Sequence, residues 1–104
     1  MYGPIVPVCE QLHADKYRLP NESFEEAMYR ITYAMCDNDE HSEQLKDIFL
    51  NMRFMPAGRI QSAMGSPRDV TSFNCFVSGI IEDSMESIMA KATEAAETMR
   101  RGGG

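Results

Sequence analysis

Apolar positions in the first half of the chain recur at helical spacing. Phe24, Met28, Ile31 and Met35 fall on one face, with Ala27 and Ala34 beside them. That is the period of a helix that buries one side. Ser23 and Glu26 stand at capping-box spacing ahead of this face, each able to satisfy an unpaired N–H of the first turn. The polar run Asp37-Asn38-Asp39 ends the helix. A second helix is predicted from about His41 to Met52, with Leu45, Ile48, Phe49 and Met52 at i, i+3, i+4 and i+7. Two amphipathic helices joined by a short polar turn predict an antiparallel pair. Upstream, residues 1–20 hold three prolines and little periodicity. They read as an extended docking arm that Leu12, Tyr17 and Leu19 could anchor.

The pattern changes at Arg53. Residues 53–70, RFMPAGRIQSAMGSPRDV, are rich in Gly, Pro and Ser but keep Phe54, Met55, Ile60 and Met64. A long irregular but packed connection is expected there. The apolar, β-branched and aromatic run TSFNCFVSGII follows, with Cys75 in its middle. Such a run predicts a strand over about 72–81, buried on both faces. A third helix is predicted over about 84–101. Asp83 and Glu86 repeat the capping-box spacing. Met85, Ile88, Met89, Ala92, Ala96 and Met99 form its apolar face. Arg100 and Arg101 suit the negative end of the helix dipole, and Gly102 suits the position just past it.

The chain is thus expected to be mainly α, divided into an arm (1–20), a helical region (21–53) and a segment with one strand and one helix (54–104). A strand buried on both faces needs neighbours, and only one convincing strand is present. The expectation is part of a larger α/β protein.

Charge and cysteine usage narrow the function. The 104 residues carry a formal net charge of -6, which argues against a general nucleic-acid binder, since that requires a cationic face. No apolar run reaches the ~18 residues of a membrane span, and the N-terminus has no secretory pattern. A cytoplasmic protein without membrane attachment is expected. Cys9, Cys36 and Cys75 are widely spaced, without a Cys-x-x-Cys or Cys/His cluster. Neither a metal site nor a structural disulfide is expected. Cys9 and Cys36 read as small buried hydrophobes. His41 reads as solvated, and His13 has no partner nearby in sequence.

Four strings add a resemblance: KYRLPNESFEEAMYRI, RFMPAGRIQSAMG, NCFVSGIIEDSMESIM and ETMRRGGG. In this order and spacing they resemble the catalytic subunit of ribonucleotide reductases, most of all the adenosylcobalamin-dependent class. The resemblance covers roughly residues 5 to 104. It implies the N-terminal helices, first strand and first helix of a ten-stranded α/β barrel. It also implies that Cys75 is one half of a redox pair whose partner cysteine, with the radical cysteine, lies beyond residue 104. A disulfide between two such thiols requires Cα atoms ~5.5–6 Å apart.

Further roles are carried over residue by residue. Ala57 and Gly58, with Ser62 nearby, match a segment beside the substrate phosphate, where Arg59 and Arg68 could assist. Asn74 and the run Gly102, Gly103, Gly104 match positions beside the substrate, where absent Cβ atoms would admit close backbone approach. The run is not a Walker loop, because the glycines follow a helix and Lys-Ser/Thr is missing. Asp83 and Ser84 match an effector site for a deoxynucleotide, although helix capping explains Asp83 equally well.

The resemblance implies ribonucleotide substrates, a dNTP effector, a homodimer through helix 84–101, and thioredoxin or glutaredoxin as reductant. The remainder of the catalytic chain would be a partner, and this part would be inactive alone, a split-gene or intein-flanking piece. Adenosylcobalamin would be the radical source of the full enzyme, or alternatively a radical-generating metal subunit. The rival reading is a small non-enzymatic helical domain whose methionine-rich faces bind partner helices.

Overall fold

A computed structural model describes residues 2–104. Among them are five helices and no strand: α1 (Pro7–Tyr17), α2 (Phe24–Met35), α3 (Asp39–Leu50), α4 (Gly58–Ala63) and α5 (Met85–Arg100). The mainly helical class is therefore as the sequence pattern indicates. The chain divides into two compact units, one ending at Pro67 and the other spanning Arg68–Gly104.

In the first unit, α2 begins on the capping box read from the sequence. The Glu26 N–H donates to Ser23 Oγ at 3.1 Å, and the Ser23 N–H donates to Glu26 Oε2 at 2.8 Å. Asn38 caps α3, its Oδ1 accepting from the His41 N–H at 2.9 Å. The three residues between the helices fold α3 back against α2. Phe24, Ala27, Met28, Ile31, Phe49 and Leu50 form the core, with Met35, Leu45, Ile48, Met55 and Met64 packed around it. Burying each large side chain contributes about 1.5–3 kcal/mol. Two expected positions fall outside this core. Ala34 is exposed. Met52 lies past the end of α3 at φ 52°, where the helical period no longer aims it inward.

Ser42 is buried in this unit, and its hydroxyl has no hydrogen-bond partner among the described residues. A buried polar group left unpaired is destabilising, by about 1–3 kcal/mol. Ser42→Ala is therefore expected to raise stability by about 1 kcal/mol, read as a higher urea midpoint at unchanged slope. A lower midpoint would show that the hydroxyl is satisfied in solution.

The extended arm expected over residues 1–20 is corrected to a helix over Pro7–Tyr17. Pro7 at its start has the φ a first turn needs and no N–H to leave unpaired. The period gave no warning because the buried residue of α1 is a histidine, His13. The irregular connection over 53–70 likewise contains α4. A Cβ on Gly58 would stand 2.7 Å from Tyr17 Cε1, so the glycine lets α4 lie close against the end of α1.

In the second unit, the expected strand over about 72–81 is not formed, and the run is not buried. Val77 is fully exposed and Ile80 is 84% exposed. The reason is the one that made the strand incomplete in sequence. A ladder requires a neighbouring strand, and among the described residues only Gly104 pairs with this run. After it, α5 starts at a Ser84 cap and ends in a two-bond glycine motif. The Gly102 N–H donates to Met99 O at 2.9 Å and the Gly103 N–H to Thr98 O at 3.0 Å. Gly102 sits at φ 87°, the left-handed geometry this ending demands.

Candidate functional site

The site with the clearest chemistry lies in the second unit, around Cys75. From Cys75 to Glu82 the backbone runs without helix, turn or bend. Helix α5 follows, and its glycine ending turns the chain back to the same place. There the Gly104 N–H donates to Asn74 O at 2.9 Å, and the Phe76 N–H donates to Gly104 O at 2.8 Å. The two bonds bracket Cys75. A third, from the Thr71 N–H to Arg101 O at 2.9 Å, holds the start of the segment. Cys75, Asn74 and Gly102–Gly104, singled out separately in the sequence, are thereby brought together.

Gly103 admits this approach. A Cβ there would run into the Phe76 ring, one of whose carbons would lie at 2.9 Å, and into Thr98 Cγ2 at 3.0 Å. Phe76 also packs against Phe73, with ring centroids 6.3 Å apart. Beside the segment is a groove of about 300 Å³ lined by Thr71, Phe76, Glu94, Glu97, Thr98 and Arg101. The Arg101 side chain is shared between Glu97 and Asp69, each at 3.5 Å. Phe76 and Thr98 were missed in the sequence because a ring and a methyl group defining a backbone approach leave no spacing signal. Cys75 itself is exposed, so the buried position expected for it is corrected. Among the described residues, no neighbouring strand covers its segment.

The remaining candidates distribute differently. Ser84, rather than Asp83, caps α5, with Ser84 Oγ accepting from the Ser87 N–H at 3.2 Å. The capping box expected of Asp83 and Glu86 is thus replaced by a serine cap one residue later, and Ser87 Oγ accepts from the Glu82 N–H at 2.9 Å. Ala57 and Gly58 belong to the first unit, at the start of α4. The Ala57 carbonyl there accepts from the Gln61 N–H at 3.1 Å, and Gly58 has the packing role described above. Cys9 is exposed and Cys36 half-buried. The burial expected of both is corrected, because neither lies on the face that packs into the core.

The first unit holds a polar network that the sequence concealed. His13 Nδ1 accepts from Arg18 Nε at 2.9 Å. The proton of the neutral ring therefore sits on Nε2, which donates to Gln61 Oε1 at 2.7 Å. The Gln61 amide in turn donates to Pro56 O at 2.7 Å. Arg18 grips both Glu10 carboxylate oxygens, at 2.6 and 2.7 Å, in the forked geometry that suits a guanidinium. Arg30 is held by Glu22 at 2.8 Å and donates to three backbone carbonyls, those of Tyr17, Gln61 and Met64. Gln61, absent from the sequence candidates, joins α4 to α1 through His13 and to the loop before α4 through Pro56. His41 is also paired, accepting from the Asp37 N–H at 3.1 Å.

This network makes stability acid-sensitive. Burial pulls His13 below the usual imidazole value of 6.5, and the Arg18 charge adds to this while the Gln61 bond opposes it. The Arg18 hydrogen bond holds Glu10 below the usual 4.5. Burial of Glu22 opposes ionisation, yet Arg30 and the Leu19 N–H bring its value below 4.5 as well. The unfolded chain takes up a proton near pH 6.5 that buried His13 refuses, so stability is complete above that pH and declines below it. The two carboxylates carry the decline further as the pH falls below about 4.5. In His13→Gln, which cannot titrate, urea midpoints are expected to change little between pH 7 and 5, whereas the parent loses stability across that window. Parallel curves would exclude His13 as the source.

Among the described residues, no group of three or more His, Cys, Asp or Glu is placed to hold a metal ion, and no helix is long and apolar enough to cross a membrane. No protein-family model, curated protein or solved structure matches the chain.

Proposed function

We propose that the chain is the N-terminal part of a ribonucleotide reductase catalytic subunit, with Cys75 as one thiol of the redox pair. One observation carries this reading. The two stretches that the resemblance assigns to the substrate, NCF and GGG, are separated in sequence by the whole of α5, and backbone bonds join them at Asn74, Phe76 and Gly104. A strand-like segment, a crossover helix and a return in parallel is the unit from which α/β barrels are built.

In the proposed reaction the ribonucleotide loses its 2′-hydroxyl as water and gains hydrogen at C2′. Two thiols, Cys75 and a second cysteine supplied by the rest of the catalytic chain, give up two electrons and their protons and become a disulfide. Thioredoxin or glutaredoxin then returns the pair to thiols by exchange. Adenosylcobalamin, or alternatively a radical-generating metal subunit, would supply the initiating radical. No residue of this chain is assigned to either, and its own chemistry runs through Cys75. An extended backbone held on both sides of Cys75 limits the directions its thiol can take, which a pair that must close to disulfide distance needs.

Asp83 and Ser84 would stand at the effector nucleotide, and α5 would contribute to a homodimer contact. Ser84 can cap α5 and still accept another bond, because a hydroxyl has two lone pairs. Cys75→Ser in the enzyme reassembled with its remaining catalytic polypeptide tests the reading. Deoxynucleotide formation should disappear. The rival reading, a non-enzymatic methionine-rich interaction domain, requires that reassembly yield no reduction even with Cys75 intact.

A further inference from the structure

Helix α1 is tied to the first unit by polar bonds rather than by the core. Neither the core residues nor the apolar side chains packed around them come from α1. Its one buried residue is His13. That ring lies beside Phe24 of α2, with centroids 5.3 Å apart, and bonds to Gln61 of α4 at 2.7 Å. The charged and titratable groups around it are Glu10, Lys16 and Tyr17 on α1, Arg18 just past its end, and Glu22 in the following turn. From α2, Arg30 holds the carbonyls of Tyr17 and Gln61. The turn between α1 and α2 closes on itself. The Glu22 N–H donates to Leu19 O at 3.1 Å, and the Leu19 N–H donates to Glu22 Oε2 at 2.9 Å. Asn21 takes a left-handed φ of 63° there, which asparagine tolerates. The turn therefore keeps its shape whether or not α1 is docked.

We propose that α1 is an acid-released arm. When His13 takes up a proton, Pro7–Tyr17 leaves α4 and Phe24 and pivots at the Leu19–Glu22 turn, while the core between α2 and α3 stays packed. Neutral His13 uses its Nδ1 lone pair to accept from Arg18 Nε at 2.9 Å. An imidazolium carries N–H on both nitrogens and accepts nothing. The new proton faces a donor that cannot yield its own, and two positive charges meet where both side chains are buried. The nearby carboxylates give no relief. Both Glu10 oxygens are taken by Arg18, and Glu22 is held by Arg30. Arg18 is pinned by that fork and lies over the Phe24 ring, 5.7 Å from its centroid. Water reaches the two charges when the helix lifts off. Burial holds His13 below the usual 6.5, so docking is complete above that pH and is lost below it. Glu10 and Glu22, both held below 4.5, contribute only in stronger acid. An 11-residue helix without packing is marginal in water, so released α1 loses its backbone protection. The proposal concerns the first unit alone and is independent of any role for Cys75 in the other.

The test reads amide hydrogen exchange by NMR on the full chain carrying His41→Gln, which leaves His13 the only imidazole. Protection factors between pH 7 and pH 5 are compared for residues 11–17 of α1 and for the core amides of Met28, Ile31 and Phe49. At every pH the α1 amides should be at least about tenfold less protected than the core amides, because they open locally. Below pH 6.5 their protection should fall with the uptake of one proton, by severalfold and at most about 30-fold at pH 5, the limit set by about 1.5 pH units below the free imidazole value. Adding His13→Gln should abolish the fall. One common protection for α1 and the core, α1 protection that stays flat from pH 7 to 5, or an equal fall with His13→Gln would each overturn the proposal. If His13→Gln does not dock α1 even at pH 7, the single-proton slope of the chain that keeps His13 decides alone.

Discussion

Arg30→Ala is expected to destabilise the helical unit by about 3 kcal/mol, the lower end of the loss when one member of a buried ion pair is removed. For a domain of this size that corresponds to a melting temperature lower by about 12–24 °C. The side chains of Arg30 and Glu22 are 9% and 10% exposed. Removing the guanidinium leaves the Glu22 carboxylate without its counter-charge. It also frees the carbonyls of Tyr17 at the end of α1 and of Gln61 and Met64 at α4 and its C-cap. The effect should therefore spread beyond α2. Circular dichroism at 222 nm follows the melt, and a double-mutant cycle with Glu22→Gln isolates the pair. A coupling above about 1 kcal/mol is expected for groups sharing one network. A shift of only a degree or two in Arg30→Ala would mean that water replaces the clamp at little loss.

Cys75→Ser carries the largest expected effect on activity. In the reassembled reductase, deoxynucleotide formation should fall by at least about 1,000-fold, equivalent to about 4 kcal/mol of transition-state stabilisation. A hydroxyl cannot form the disulfide that closes the electron balance. The side chain is exposed and α5 caps itself independently, so the variant should keep its helical content and its ability to reassemble. Cys9→Ser and Cys36→Ser should retain parental rates. The decisive complement is thiol trapping. After one turnover without reductant, Cys75 should resist alkylation and become reactive again with dithiothreitol, while Cys9 remains reactive throughout. Full activity in Cys75→Ser would end the redox assignment.

The helical core was legible because its information is local. Ser23, Glu26 and the face Phe24, Ala27, Met28 and Ile31 specify cap, period and buried side within a few residues of one another. The Gly102 ending of α5 was legible for the same reason. Helix α1 was not, since the residue it buries is polar and its partners, Arg18 and Gln61, stand 5 and 48 positions away. At the candidate site, Cys75 and the glycine run could be named from sequence, but not their adjacency. The spatial roles of Phe76 and Thr98 around Gly103 left no trace in spacing.

Cys75 shows where the boundary lies. The sequence alone determined that it sits in an apolar run with strand character, followed by a capped helix and a glycine stop, because propensity, period and capping act over a few neighbouring residues. Only the tertiary structure decided that the chain after the helix returns to bracket Cys75 in parallel. It also decided that the rest of the run has no backbone partner among the described residues and lies exposed, and that a histidine anchors the first helix. Hydrogen bonds between distant segments depend on where the chain has travelled, and burial depends on what is there to cover a side chain. Neither quantity is a property of a window of sequence.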